Sequence, residues 1–231
     1  MLTETQIERY SRQLILPEIG GRGQERLLAS RVLIVGDGDV ARTAALYLAA
    51  AGVGRLGTAA AVVRTLNDLN PDCRTTVLAV GEASEVDTNA LPSYDLVLDS
   101  APPMDTAFTL STACRTLGIN VVLVRGCASG GWITTLTGPD APCGACLAAQ
   151  LETQTSPTDA VLPLTVATAQ VLGSLAAMEA IKVVLGIGTS LVGRLLRYDA
   201  TAATADETML SRLPGCTGCP PNGTAHPTAT R

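Results

Sequence analysis

Four of the chain's seven cysteines fall into two pairs of one form, Cys143-Gly144-Ala145-Cys146 and Cys216-Thr217-Gly218-Cys219. Each is a C-x-x-C in a Pro/Gly-rich stretch. Two such knuckles together supply four thiolates, the donor set of a closed tetrahedral metal site whose usual occupant is Zn²⁺. A metal there would pin the C-terminal segment back onto the body of the protein. The competing chemistry is a redox C-x-x-C, which would use one pair and leave the other unexplained. Cys73, Cys114 and Cys127 stand in apolar or turn surroundings and read as small hydrophobes.

The second constellation is a glycine turn. Val32 to Val35 is an unbroken apolar run rich in β-branched residues, the pattern of a strand buried on both faces in a parallel sheet. Gly36 and Gly38 follow at once, and Val40 to Ala51 then carries Ala and Leu in helical spacing, closed by Gly52 and Gly54. Strand, tight turn and helix form the first half of a Rossmann-type unit, whose turn and helix N-terminus receive a phosphate. The fingerprint here reads Gly36-Asp37-Gly38-Asp39-Val40-Ala41. Ala41 is an allowed variant of the third glycine. Asp39 puts a carboxylate where backbone N–H groups should meet the phosphate, so it is expected to cap its own helix and leave the phosphate site empty. The alternative is a site that tolerates the charge through a metal ion. A dinucleotide site also wants an acid about 20 residues on, to hold the ribose. No Asp or Glu occurs between Asp39 and Asp68, and only Arg55-Leu56-Gly57 separates the first helix from Thr58 to Leu69, which again reads helical.

Composition narrows the options. The 231 residues allow one large domain, and at 47% hydrophobic but 3% aromatic its core must be Ala, Val and Leu. A net charge of −5 argues against nucleic acid and anionic membranes as partners. Lys182 is the only lysine, so a mechanism needing a phosphate-binding lysine must use it or do without. The only histidine, His226, lies in the polar, Pro-rich stretch 220–231, which is expected to be disordered. Val161 to Met178 is uncharged and touches the length of a membrane span, but its Pro, Gln, Gly and Thr content favours a buried core helix. The start has no signal-peptide pattern, and seven cysteines in a cytosolic protein are not a disulfide framework.

The chain yields further elements in order. Thr3 to Tyr10 starts a polar helix, Ile19 to Gly23 is a flexible link, and Gln24 to Ser30 is a brief helix. Asn70-Pro71-Asp72 is a turn. Strands are expected over Arg74 to Val80, Tyr94 to Leu98, Asn120 to Arg125 and Trp132 to Thr137. Ala101-Pro102-Pro103 is a stiff turn before a helix over Thr106 to Leu117 that Asp105 can cap, and Cys127 to Gly131 is a bend.

These pieces, in this order, resemble the MoeB/ThiF/HesA family, bacterial relatives of the ubiquitin-activating enzymes. The carrying segments are RYSRQLILPEIGGRGQERLLASRVLIVG, ALYLAAAGVGRLG, YDLVLDS, PCGAC, GSLAAMEAIKVVLG, YDA and PGCTGC, spanning about Ile7 to Cys219. The resemblance implies a Rossmann-like α/β fold over 1–219, a mostly parallel sheet with helices on both faces. It implies a homodimeric, ATP-dependent enzyme that adenylates the C-terminal Gly-Gly of a ubiquitin-like sulfur carrier, and a structural zinc on Cys143, Cys146, Cys216 and Cys219. It also implies that an arginine of the R-Y-x-R-Q segment reaches the partner's nucleotide site; Arg12 matches that position. The departures fall on the chemistry. Asp39 replaces a glycine, leaving Gly36 and Gly38 as a degenerate turn. A block is deleted between Gly57 and Thr58, and with it the ribose acid and the catalytic lysine. In the D-x-x-D-N run that serves Mg²⁺–ATP, Pro102 and Pro103 stand for the second Asp and the Asn, with Asp105 nearby. The loop that often carries a cysteine reads QTSPTDAV.

Three functions follow as expectations. The first is a cytoplasmic, non-catalytic member in which ATP and Mg²⁺ binding is doubtful. It would form a homodimer, or a heterodimer with a full-length paralogue, hold a sulfur carrier, and lend Arg12 in trans. The second is a working adenylyltransferase using other groups. The third, a nicotinamide-dependent dehydrogenase, has only the strand-turn-helix unit behind it. The competing reading of Arg12 is a leftover paired with a surface carboxylate.

Overall fold

The structure is a computed structural model that describes residues 1–64, 66, 69–80, 86–127, 129–136, 138, 141–152, 166–216 and 218–219. The 220–231 stretch, His226 and the QTSPTDAV loop lie outside the described residues.

The chain opens with three helices, α1 (Glu4–Arg9), α2 (Ser11–Leu14) and α3 (Gly20–Ala29). A βαβ unit follows, made of β1 (Arg31–Val35), α4 (Asp39–Ala51) and β2 (Arg55–Thr58), then a single turn α5 (Ala60–Val63) and β3 (Arg74–Val77). The second half comprises β4 (Leu96–Asp99), α6 (Met104–Thr116), β5 (Asn120–Cys127), β6 (Gly130–Leu136), α7 (Gly144–Glu152), α8 (Val166–Leu185), β7 (Arg194–Asp199) and β8 (Thr204–Met209).

The strands form one eight-stranded sheet in the order β3-β2-β1-β4-β5-β6-β7-β8. The first five are parallel, in register Val35 opposite Asp99 and Asp99 opposite Leu123. β6, β7 and β8 continue the sheet as antiparallel neighbours. From β1 the chain steps outward to β2 and β3, then returns to lay β4 on the other side of β1. Crossovers of one hand therefore carry α4 and α6 to opposite faces, and the strand order reverses between β1 and β4. That reversal opens a crevice at the carboxyl ends of the two strands, the usual ligand position in such sheets.

Burial explains the strand choices. Val32 to Val35 and Leu96 to Asp99 are buried throughout, as double-faced strands must be. α8 is long and apolar enough to cross a membrane by composition alone. Here it packs along α4 and over β5 and β6, with Ala169, Leu172, Ala176 and Ala180 buried, as the core-helix expectation had it.

Several local expectations need correction. Ile19 to Gly23 is not a flexible link: helix α3 starts at Gly20, because the burial of Gln24 and Leu27 outweighs the poor helical propensity of its glycines. Arg55 to Thr58 is a full strand paired on both sides, so the shortening lies in the crossover after it. Among the described residues of Thr58 to Leu69, Thr58 closes β2 and only Ala60–Val63 form a helix. β5 and β6 form a hairpin that closes at Cys127 opposite Gly130, where a bend was expected.

Candidate functional site

At the switch-point crevice, Gly36 adopts φ +116°, which a side chain would strain, and donates its N–H to the Val80 carbonyl at 2.7 Å. Gly38 is the N-cap of α4 and Asp39 its first helical residue. Asp39 does not cap the helix, since no side-chain cap bond forms there. Its carboxylate instead takes the Arg42 guanidinium at 2.8 Å, one helical turn on, both side chains being half exposed. The acid still lies at the positive end of the helix dipole, where a ligand phosphate would bind.

Opposite the turn, β4 ends in Asp99, which has no exposed surface. Its carboxylate accepts from the Ala101 N–H at 2.9 Å, and from Arg125 at 3.3 Å to each oxygen. Arg125 also donates to the Asp99 carbonyl at 2.8 Å. Burial pushes the Asp99 carboxyl above its usual range, and the guanidinium and the Ala101 N–H only partly offset this. Ser100 Oγ donates to the Val35 carbonyl at 3.1 Å and ties the two strand ends together. Asp105 is exposed in the first turn of α6. At the end of β2 stands Thr58, fully buried, with no acid next to it in the sequence.

Sequence reasoning missed Arg125. The signal was present: an arginine closing the apolar run Val121 to Val124, beside a strand that itself closes on an aspartate.

Two expected site residues lie elsewhere. Lys182 on α8 pairs with buried Glu179 at 2.6 Å and donates to the Thr189 carbonyl at 2.9 Å. Glu179 also accepts from Thr135 and from the Leu191 N–H, both at 2.6 Å. The lysine thus anchors the loop before β7. Its helical neighbours Val183 and Val184 line a cavity of about 340 Å³ with Ser30, Asp95 and Asn120, at the amino ends of the strands. That is the end of the sheet opposite the glycine turn. Arg12, on α2, is exposed and makes no ion pair among the described residues. Its neighbour Gln13 donates to the carbonyl of Ala51, the last residue of α4, at 3.2 Å. Gly36 and Gly38 stand at the other end of α4, about 20 Å away along a 13-residue helix. Arg12 does not reach its own chain's crevice.

The two C-x-x-C pairs do come together. The four sulfurs of Cys143, Cys146, Cys216 and Cys219 all lie within 4.8 Å of one another. Cys143 and Cys146 are 3.8 Å apart, Cys143 and Cys216 3.5 Å, and Cys146 and Cys219 3.6 Å. A tetrahedral ion with bonds of about 2.3 Å needs sulfurs about 3.8 Å apart, so the set fits one ion that zinc-type coordination would hold. Cys143 immediately precedes α7, whose N-terminus favours a thiolate, and the Leu213 N–H points to Cys146 Sγ at 3.3 Å. With the sulfurs this close, burial pushes Cys143 up to about 12, while hydrogen bonding from Cys143 draws Cys216 down to about 7. A single-pair redox motif would not need all four. Cys114 is buried and Cys73 half-buried, as expected of small hydrophobes; burial lifts their thiols to about 12 and about 11. The Cys127 side chain lies outside the described residues.

The model of the ThiF family matches residues 10–59 and 57–218. The chain belongs to the ThiF family. The sulfur carrier protein adenylyltransferase of Thermus thermophilus is 33% identical, over 94% of this chain and 92% of that protein. The SAMP-activating enzyme E1 of Haloferax volcanii is 34% identical, over 96% and 92%. The adenylyltransferase and sulfurtransferase MOCS3 of Bos taurus is 35% identical over 94% of this chain, which spans 54% of that protein. Among solved structures, E. coli MccB with succinimide superposes with a TM-score of 0.73, covering 92% of this chain and 74% of that one; at 15% identity it speaks for the fold alone. The two stretches of the ThiF match meet at the end of β2. The Thermus alignment runs over 255 positions yet uses 94% of a 231-residue chain, so a few dozen positions of the relative have no counterpart here. The shortened crossover after β2 is where the family match breaks.

Proposed function

We propose that this ThiF-family chain serves the activation of a ubiquitin-like sulfur carrier as a binding and partner subunit, and does not adenylate by itself. It holds a structural zinc on Cys143, Cys146, Cys216 and Cys219, in a reducing cytosolic setting that keeps those thiols free. It pairs with a second copy or a full-length paralogue and lends Arg12 to that partner's nucleotide site.

One observation carries this reading: the acid that opens α4 and the acid that ends β4 are each paired within the chain. Asp39 is paired to Arg42 and Asp99 to Arg125, and no acid adjoins Thr58, the last residue of β2, in the sequence. Adenylation needs cations on the phosphates and an acid for Mg²⁺, fixed in advance at the reacting atoms. The distance between Arg12 and its own glycine turn supports a role in trans.

A second reading, an active adenylyltransferase, is favoured by the identity of about a third to relatives named as adenylyltransferases over nearly the whole chain. Titration calorimetry with Mg-ATP, followed by pyrophosphate exchange with the carrier, separates the two. The partner reading expects weak or no binding and no exchange. A dissociation constant in the low micromolar range with exchange above background would establish the second reading instead.

A further inference from the structure

The N-terminal arm carries no core of its own. α1 and α2 contribute no buried residue, and Tyr10, 1% exposed, is the only buried side chain before Gln24. What holds the arm is a polar cluster built on the Asn70-Pro71-Asp72 turn. Asp72 accepts from Gln6 at 3.2 Å on one oxygen, and on the other from the Tyr10 hydroxyl at 3.0 Å and from the Arg9 guanidinium. Asn70 donates to the Tyr10 hydroxyl at 2.9 Å and to the Ala49 carbonyl at 2.7 Å, and its own oxygen accepts from the Asp72 N–H at 3.1 Å.

The cluster sits on the carboxyl end of α4, whose last carbonyls have no partner inside the helix. Asn70 takes Ala49, and Gln13 and Gln24 both take Ala51. Gly52 at φ +94° lets the Tyr10 ring lie against the backbone, since a Cβ there would stand 2.8 Å from the ring. Three donors from consecutive turns of the arm thus meet one carboxylate, two residues before Arg12.

We propose that Asp72 is the positioning residue of the arm: its carboxylate latches Gln6, Arg9 and Tyr10, and so fixes where Arg12 stands on the surface. The functional meaning of the latch rests on the trans role of Arg12 proposed above; the latch itself does not.

The test is hydrogen exchange on the intact, metal-loaded chain. Asp72→Asn should raise exchange over residues 4–16 about tenfold or more, the scale expected for a lost charged hydrogen-bond cluster, and leave β1, β2 and β4 protected. Arg9→Gln combined with Asp72→Asn should add little, since both break one latch. Unchanged exchange over 4–16 would overturn the proposal. So would an equal rise in β2 and β3, which would make Asp72 a plain structural turn residue. In a mixed dimer with an active ThiF-family adenylyltransferase, Asp72→Asn should lower the partner's turnover toward the level given by Arg12→Ala, with its KM for ATP unchanged. If Arg12→Ala alone changes nothing, the trans reading falls and the latch stands or falls on exchange. If Arg12→Ala lowers turnover and Asp72→Asn with a released arm does not, the positioning role is overturned.

Discussion

Substituting Cys216 by Ser tests the metal site at the point where it joins distant parts of the chain. Cys143 and Cys216 are 73 residues apart, and the second pair follows β8, so an ion on all four sulfurs closes a loop containing α7, α8, β7 and β8. A cross-link over a loop of that length withdraws about 4 kcal/mol of conformational freedom from the unfolded chain. For a chain of this size, each kcal/mol moves the melting temperature by about 2–4 °C, so the loss should be roughly 8–16 °C. The metal's own binding free energy adds to folding in the same direction, so this range is a lower bound. The measurement is thermal denaturation followed by circular dichroism, with metal content by elemental analysis on protein purified without chelator. One zinc per wild-type chain, lost in Cys216→Ser together with this drop, is the expected result. Wild-type protein without metal, or a variant melting within about 2 °C of wild type, would refute the reasoning.

Three further outcomes follow from the same geometry. Asp39→Gly should not restore pyrophosphate exchange, because it frees Arg42 without supplying the ribose acid or a carboxylate for Mg²⁺; exchange in that variant would show that Asp39 alone blocks the site. Arg125→Met should cost about 3–5 kcal/mol in urea denaturation, since it strands the buried Asp99 carboxylate, and adding Asp99→Asn should recover most of that loss. Burial lifts the Asp72 carboxyl, but the hydrogen bonds from Gln6, Tyr10 and Arg9 outweigh it and hold its pKa below the ordinary value. Its stabilising effect is therefore complete above an unfolded pKa of about 4 and is lost as pH falls through the lower folded value; a carbon-detected NMR titration of Asp72 with a midpoint at or above 4 would contradict the latch.

The parts of this protein that follow a period or a fixed spacing were legible without coordinates. Val32 to Val35 declared a buried strand because both of its faces are covered, and the two C-x-x-C pairs declared that their four sulfurs would meet, because coordination chemistry favours that spacing. β7 and β8 gave no such signal. Thr204 to Met209 is almost wholly exposed, so no apolar alternation marks it, and it is a strand only because β7 offers an edge. The Asp99–Arg125 pair escaped for a related reason: the partners are 26 residues apart, and only the parallel register of β4 and β5 brings them together. Asp39 was read as a cap because Asp so often is one; the helix starts one residue earlier than that reading required, with Gly38 as N-cap, and Asp39 at the first helical position pairs with Arg42 three residues on.

The crevice and the arm together bear on the partner-subunit reading proposed above. A nucleotide site stabilises a ligand with charges that the protein leaves unpaired, at a cost to its own stability. In this chain the exposed acid of α4 is matched by Arg42 and the buried acid of β4 by Arg125, so both of these acids have partners without a ligand. The arm keeps the opposite arrangement. Arg9 is matched by Asp72, whereas Arg12, three residues on, has no ion-pair partner among the described residues and is held outward by its neighbours' bonds. A chain shaped only by loss would be expected to let a polar, coreless arm fray along with the crevice. Instead several side chains from the arm and the 70–72 turn converge to hold it, at the end of α4 remote from the chain's own glycine turn. An arginine so held stands away from its own crevice, as the role in trans proposed above requires.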